Sequence, residues 1–250
     1  MKSWFLGIFL LIPGLMTAQS DTFSTEKGDL TIHPVLHASM VWEWNGKTLY
    51  FDPYGGAELY TEFRAPDIVL ITHLHGDHLN PNTLGGIDLS GAELVAPQSV
   101  VDEMKDDLKE KFAQITILAN GDSYEWHDAL IEAVPMYNLP NDETARHPKG
   151  WGNGYVLDLG GKRLYVCGDT EDIPEMRALE EVDVAFICMN LPYTMDVNHA
   201  ADAVIEFQPK VVYPFHFRGQ GGFSDVEQFK SLVTTGAPSV EVRLRKWYGE

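Results

Sequence analysis

At 250 residues, 44% of them hydrophobic, the chain is long enough for one large domain or two small ones. Its 37 acidic against 18 basic residues give a formal charge of −19. A surface of that sign repels phosphate backbones across a Debye length, which sets large nucleic acids aside as substrates.

Residues 1–20 read as a segment apart from the fold. Lys2 supplies a short positive start, Trp4 to Leu15 an apolar run, and Thr17-Ala18-Gln19-Ser20 small residues for cleavage. This is the pattern of a secretory signal peptide, and the apolar run is short for a helix that spans a bilayer. No cysteine lies near the cleavage site, so a lipid anchor is not expected. Removing residues 1–20 removes one Lys and no acid, which leaves −20 for a single mature domain over 21–250. The expectation is an exported protein, periplasmic or secreted, with no stable membrane anchor after cleavage.

Residues 30–52 read as strands, and Asn45-Gly46 inside them is a two-residue hairpin signal. Ile68-Val69-Leu70-Ile71 is an apolar run of the buried-strand kind. Glu93 to Ala96 is a short strand, and residues 98–112 carry Val101, Met104, Leu108 and Phe112 at helical spacing. Strands are expected at Ile115 to Leu118, at Leu130 to Met136, and at Tyr155 to Leu159 paired with Arg163 to Val166 across Gly160-Gly161. Residues 182–188 form a buried strand, Asn198 to Glu206 a helix, Lys210 to Pro214 a strand, and 224–235 a helix. Val240 to Trp247 alternates as a last strand. Strands with helices set between them later in the chain fit an α/β protein whose sheets are covered by helices. Cys167 and Cys188 each end an apolar run. Buried free thiols are the expectation, with a disulfide the alternative in an exported protein.

The chemistry concentrates in His-Leu-His-Gly-Asp-His at 73–78, four ligand-type side chains within six residues. Neutral imidazole and carboxylate are what divalent zinc takes in catalytic sites. The cluster follows a strand, where loops on a rigid scaffold collect functional groups. Two further residues sit just past strands: Asp169 after Gly168, which permits a sharp turn, and His216 after Pro214-Phe215. Each alone is an ordinary turn or core residue; together with the cluster they point to one rim of a sheet.

His-x-His-x-Asp-His after an apolar strand, Gly-Asp-Thr at 168–170 and Pro-Phe-His at 214–216 resemble the metallo-β-lactamase-fold hydrolases, nearest their UlaG-like and NAPE-phospholipase-D-like branch. Asp52-Pro53 and Tyr193-Thr194-Met195 are lesser points of likeness, and the resemblance covers nearly the whole mature chain. It implies a four-layer αβ/βα sandwich and two ions, zinc first, with manganese or iron compatible with the same donors. It implies that His73 and His75 bind the first ion, that Asp77, His78 and His216 bind the second, and that Asp169 bridges them. The family's third histidine on the first ion has no counterpart after the strand 130–136, where Tyr137-Asn138 stands instead. His147 is the expected replacement, His127 reading as a surface turn residue. With His147 turned away, Asn138 or water would complete a weaker site, or one ion only would bind.

The implied reaction is attack by metal-activated hydroxide on a small ester, lactone, amide or phosphodiester, with Asp77 orienting the nucleophile and carrying its proton. The alternatives are a phospholipase-D-like phosphodiesterase and a metal-binding domain without turnover. His37 is either a residue behind the ligands, a substrate contact, or a core histidine bonded to backbone. His199 could reach the pocket, though an exposed helix histidine is the plainer reading. Arg218 could hold an anionic group of the substrate, a surface salt bridge being the plainer reading. Tyr137, Trp151, Tyr193 and Phe217 flank the ligands and could line a pocket or be ordinary core. His33 has no evident partner.

Overall fold

The computed structural model describes residues 20–248, so the expected signal segment lies outside the described residues except for Ser20. Two seven-stranded sheets face each other. The first runs in sequence order: β1 (Asp21–Thr25), β2 (Gly28–Leu36), β3 (Ser39–Trp44), β4 (Lys47–Phe51), β5 (Ile68–Leu70), β6 (Glu93–Ala96) and β7 (Gln114–Ile117). The second contains β8 (Ser123–Trp126), β9 (Ala129–Met136), β10 (Gly152–Leu159), β11 (Arg163–Val166), β12 (Val184–Cys188) and β13 (Val211–Phe215). A small hairpin follows, β14 (Arg218–Gly219) and β15 (Gly222–Phe223), and β16 (Glu241–Val242) closes the second sheet beside β13. Each sheet is antiparallel in its first half and parallel in its second.

Side-chain alternation assigns the layers. On β4 and β5, Leu49, Phe51, Ile68 and Leu70 join the core between the sheets, while Tyr50 and Val69 face outward. That outer face is covered by α1 (Pro81–Gly86), α2 (Gln98–Glu103) and α3 (Asp106–Lys109), through Leu84, Val100 and Leu108. The second sheet is covered by α4 (Pro174–Arg177), α5 (Val197–Phe207) and α6 (Val226–Gly236), through Met176, Val204 and Phe229. The resulting order, helices, sheet, sheet, helices, is the four-layer sandwich. Strand β12 is buried on both faces, as parallel strands under helices are.

The Asn45-Gly46 and Gly160-Gly161 turns form as read, all four residues at positive φ. Two expected elements differ. The helix over 98–112 is broken at Met104-Lys105 into α2 and α3. Asp102 and Glu103 oppose the partial charge at a helix C-terminus, whereas Asp106 and Asp107 favour a new start. The strand over 240–247 pairs with β13 only at Glu241–Val242. Arg243 and Arg245 then bind Asp21 of β1 at 3.2 and 2.7 Å, and the chain leaves the sheet. Cys167 and Cys188 are buried free thiols. Among the described residues no helix is long and apolar enough to cross a membrane.

Candidate metal centre

The strands that carry site residues all point the same way. β2 ends before His37, β4 before Asp52, β5 before His73–His78, β9 before Asn138, β11 before Asp169, β12 before Asn190, and β13 before His216. Groups at the carboxyl ends of parallel strands converge on one crevice. Three of these residues, His37, Asp52 and His216, take positive φ (62°, 42° and 45°), bending sharply off the strand into that crevice.

The structure gathers the nitrogens into two sets. In the first, His75 Nδ1 lies 3.1 Å from His73 Nε2 and 3.1 Å from His147 Nε2. In the second, His78 Nε2 lies 3.1 Å from His216 Nε2, with Asp77 Oδ2 at 4.0 and 3.7 Å from them. Asp169 stands between. Its Oδ1 is 3.1 Å from His216 Nε2 and 3.4 Å from His78 Nε2, and its Oδ2 is 3.7 Å from His147 Nε2. Asp169 Oδ1 is buried without a hydrogen-bonded partner in the protein.

Hydrogen bonds behind the rings set their tautomers. His147 Nδ1 and its backbone N–H both donate to Asn138 Oδ1, at 3.0 and 2.8 Å. Thr72 Oγ1 gives its proton to Asp52 Oδ2 at 2.7 Å and accepts from His73 Nδ1 at 3.1 Å. His78 Nδ1 donates to the same Asp52 oxygen at 2.7 Å. His73 and His147 therefore aim an Nε2 lone pair inward, and His78 turns its Nε2 to the same side. His75 Nδ1 carries at most one proton and satisfies at most one of the two lone pairs facing it. Nitrogens crowded at 3.1 Å and an orphaned carboxylate oxygen fit a cation: ligand nitrogens of a tetrahedral zinc with bonds of about 2.0–2.1 Å lie roughly 3.3 Å apart.

Burial, chiefly, pushes His147 down to about 4 and His73 well below the usual imidazole range, so both are unprotonated at neutral pH. Burial would also lower His78, but the Asp169, Asp52 and Asp77 carboxylates outweigh it and raise the ring to about 10. For Asp77 and Asp169 burial pushes upward, yet the neighbouring histidines hold both below the ordinary carboxylate range.

The remaining predicted residues separate. Asn138 is engaged by His147, by Glu171 Oε1 (3.1 Å) and by the Tyr193 carbonyl (2.9 Å), and so anchors the His147 ring from behind. His37 is buried between Asp77 and Tyr248, its ring bonded to those two side chains and not to backbone. His199 is exposed on α5, beside Asp196 at 3.9 Å, and does not join the cluster. Arg218 does not form the expected salt bridge: its guanidinium lies 5.4 Å from the Tyr248 ring centre, with no ion pair among the described residues. His127 is exposed in a turn. His33 has a partner after all, Glu43 at 3.1 Å across the sheet. Trp151 packs on His75 at 5.2 Å and Arg146 over Tyr193 at 4.4 Å.

Sequence reasoning missed the parts played by Asp52, Thr72, Asn190 and Tyr248. Asp52-Pro53 and the Thr preceding the cluster were visible signals. Asn190, whose Nδ2 is 3.2 Å from His216 Nε2, and Tyr248 carry no local pattern.

A two-sheet sandwich with this His/Asp rim defines the class, the metal-dependent hydrolases of the metallo-β-lactamase fold. Residues 31–216 match the model of the beta-lactamase superfamily domain. A UPF0173 metal-dependent hydrolase of Pyrococcus abyssi is 31% identical over 83% of this chain and 93% of its own. A structure from Parabacteroides distasonis, described as a metal-dependent hydrolase, shares 36% identity at a TM-score of 0.78, covering 92% of this chain and all of the other. Igni18, a metallo hydrolase of Ignicoccus hospitalis, shares 25% at 0.71, covering 86% and 94%. The chain belongs to the metallo-β-lactamase superfamily, among its metal-dependent hydrolases and akin to the UPF0173 proteins.

Proposed function

We propose that the protein is an exported hydrolase of a small ester, lactone, amide or phosphodiester, working with two divalent ions, zinc in the first place. The observation that carries this reading is the pair of nitrogen sets sharing Asp169. His73, His75 and His147 would hold one ion, Asp77, His78 and His216 the other, and Asp169 both. Ions held by these residues would supply a lowered pKa for water and polarisation of the bond to be broken. The chain's own groups do the rest. Asp77 is the most exposed of the ligand carboxylates, is ionised, and is pinned at Oδ2 by His37 (3.2 Å), which suits it to take a proton from attacking water. Trp151 against His75 shields the first set from solvent on one side.

The mouth supports a substrate with an anionic group and an apolar part. Arg146 and Arg218 lie on aromatic rings, with no carboxylate in ion-pair range among the described residues, in a chain with twice as many acids as bases. Leu139 and Leu191, just past β9 and β12, and Phe223 on β15 are exposed, an arrangement that also favours the phosphodiesterase reading with a lipid-like substrate. The residue 1–20 pattern supports export to the periplasm or the medium; fractionation of cells is its test.

Metal analysis should return close to two ions per chain; one or none counts against the two-ion reading. A panel of neutral and anionic esters, lactones, amides, β-lactams and phosphodiesters, short and long in acyl chain, tests the rest. Asp77→Ala should lower kcat by at least about 100-fold, and equal rates in both proteins would sink the role given to Asp77. Arg146→Ala with Arg218→Ala should raise KM for anionic substrates and leave neutral ones unchanged.

A further inference from the structure

Tyr248, at the far end of the chain, enters the site. Its Oη lies 2.7 Å from His37 Nδ1 and 3.2 Å from the backbone nitrogen of Arg218. On its other side, His37 Nε2 lies 3.2 Å from Asp77 Oδ2. His37 thus sits with Asp77 and His216 at spacing that would suit a metal ligand.

The directions of these bonds exclude that role. A backbone N–H only donates, so Tyr248 Oη accepts from Arg218. Its own proton then has His37 Nδ1 as acceptor. A carboxylate only accepts, so the His37 proton must sit on Nε2, facing Asp77. Were both ring nitrogens protonated, Tyr248 would accept twice and its hydroxyl proton would have no acceptor among the described residues. Both ends of the chain of bonds demand the same neutral tautomer. A nitrogen carrying that proton has no lone pair to give a cation.

The backbone registers the arrangement. His37 N donates to Trp247 O at 3.4 Å, and His216 N donates to His37 O at 3.1 Å. The C-terminal segment, His37 and a ligand histidine are therefore tied in series. The departure of residues 243–248 from the second sheet is what delivers Tyr248.

We propose that Tyr248 and His37 are positioning residues: the tyrosine sets the imidazole's tautomer, and the imidazole holds Asp77 turned toward the second ion without itself becoming a ligand. The ligand half of this proposal rests on the two-ion reading; the tautomer half does not.

Nitrogen NMR of 15N-histidine-labelled protein separates them. In the metal-free wild type, His37 should carry its proton on Nε2, with Nδ1 hydrogen-bonded; Tyr248→Phe should shift the Nδ1 resonance toward that of an unbonded ring nitrogen. A proton found on Nδ1 in the wild type overturns the tautomer assignment. On saturation with zinc, the Nε2 proton should persist, and its loss would make His37 a ligand and overturn the proposal. Zinc titration of Tyr248→Phe should weaken the second ion about 10-fold with the first unchanged. His37→Gln, whose amide still donates, should retain more second-ion affinity than His37→Ala. Equal weakening of both ions in Tyr248→Phe, with an unchanged melting curve, counts against positioning. If the wild type takes no second ion at all, the two-ion reading and the positioning role fail together, while the metal-free spectrum still decides the tautomer.

Discussion

At the scale of single residues, Asp52 shows how one side chain behind the ligands governs both nitrogen sets. It accepts from Thr72 N at 2.8 Å, from Thr72 Oγ1 at 2.7 Å and from His78 Nδ1 at 2.7 Å. Through the Thr72 hydroxyl it also orients His73. One carboxylate thereby sets a tautomer in each set. Asp52→Asn keeps the shape but turns one acceptor into a donor, which must face a group that is itself donating. Groups behind metal ligands are worth about 10–100-fold in affinity. The expected result is weaker binding of both ions by that order, read by competition with a coloured chelator; unchanged affinity for either ion would deny the link through Thr72. The His/Asp cluster was legible because four ligand-type side chains share six residues. Asp52 was not, because its meaning comes from partners 20 and 26 positions away, which no local spacing encodes.

At the scale of elements, the site is a set of strand ends, and the turn after β11 is a closely packed one. Gly168 has φ +64°, and a Cβ there would stand 2.8 Å from Met136 Sδ, 3.2 Å from the Asn153 carbonyl and 3.3 Å from Thr72 Cβ. Gly168→Ala combines backbone strain with contact against a carbonyl that cannot yield cheaply. It should cost roughly 1–3 kcal/mol, seen as a fall of several degrees in Tm, and displace Asp169 from between the two sets. A melting curve and zinc stoichiometry equal to wild type would show that the turn has room to spare. This turn was legible in Gly168-Asp169. The break in the 98–112 helix and the early end of β16 were not: in each, spacing described a pattern that charge placement or the pull of Asp21 then interrupted. Element type survived in most places because periodicity is local. The entry of Tyr248 did not, because it depends on where the last strand stops.

For the molecule as a whole, the shared rim was inferable from the residues, but the stacking of two sheets only through the family resemblance. Strand order across a sheet is a long-range property that periodicity does not carry. The assembled rim has a consequence for the entire fold. Several rings are held neutral together, His37, His73 and His147 buried and His75 half-buried: all four are depressed, with burial the first cause in each. A depressed imidazole leaves the unfolded chain binding more protons between the folded and unfolded values, so stability is lost as pH falls through that window. For His147 the window runs from 6.5 down to about 4. His78, raised to about 10, acts oppositely: its contribution is complete below 6.5 and is lost only as pH rises through 10. The depressed carboxylates Asp77 and Asp169 lose their contribution only near and below the unfolded carboxylate range, close to 4. Between pH 6.5 and 5 the depressed histidines therefore decide the sign. His147 alone should remove about 2 kcal/mol from the metal-free protein on going from pH 7 to 5. At roughly 2–4 °C per kcal/mol for a chain of this size, the wild-type Tm should fall about 4–8 °C further than that of His147→Gln over the same interval. Chelator-treated samples melted at half-unit steps of pH provide the measurement. Parallel curves for the two proteins would mean that His147 titrates as an ordinary histidine in the folded chain, and that the first nitrogen set is not the water-excluded cluster its geometry describes.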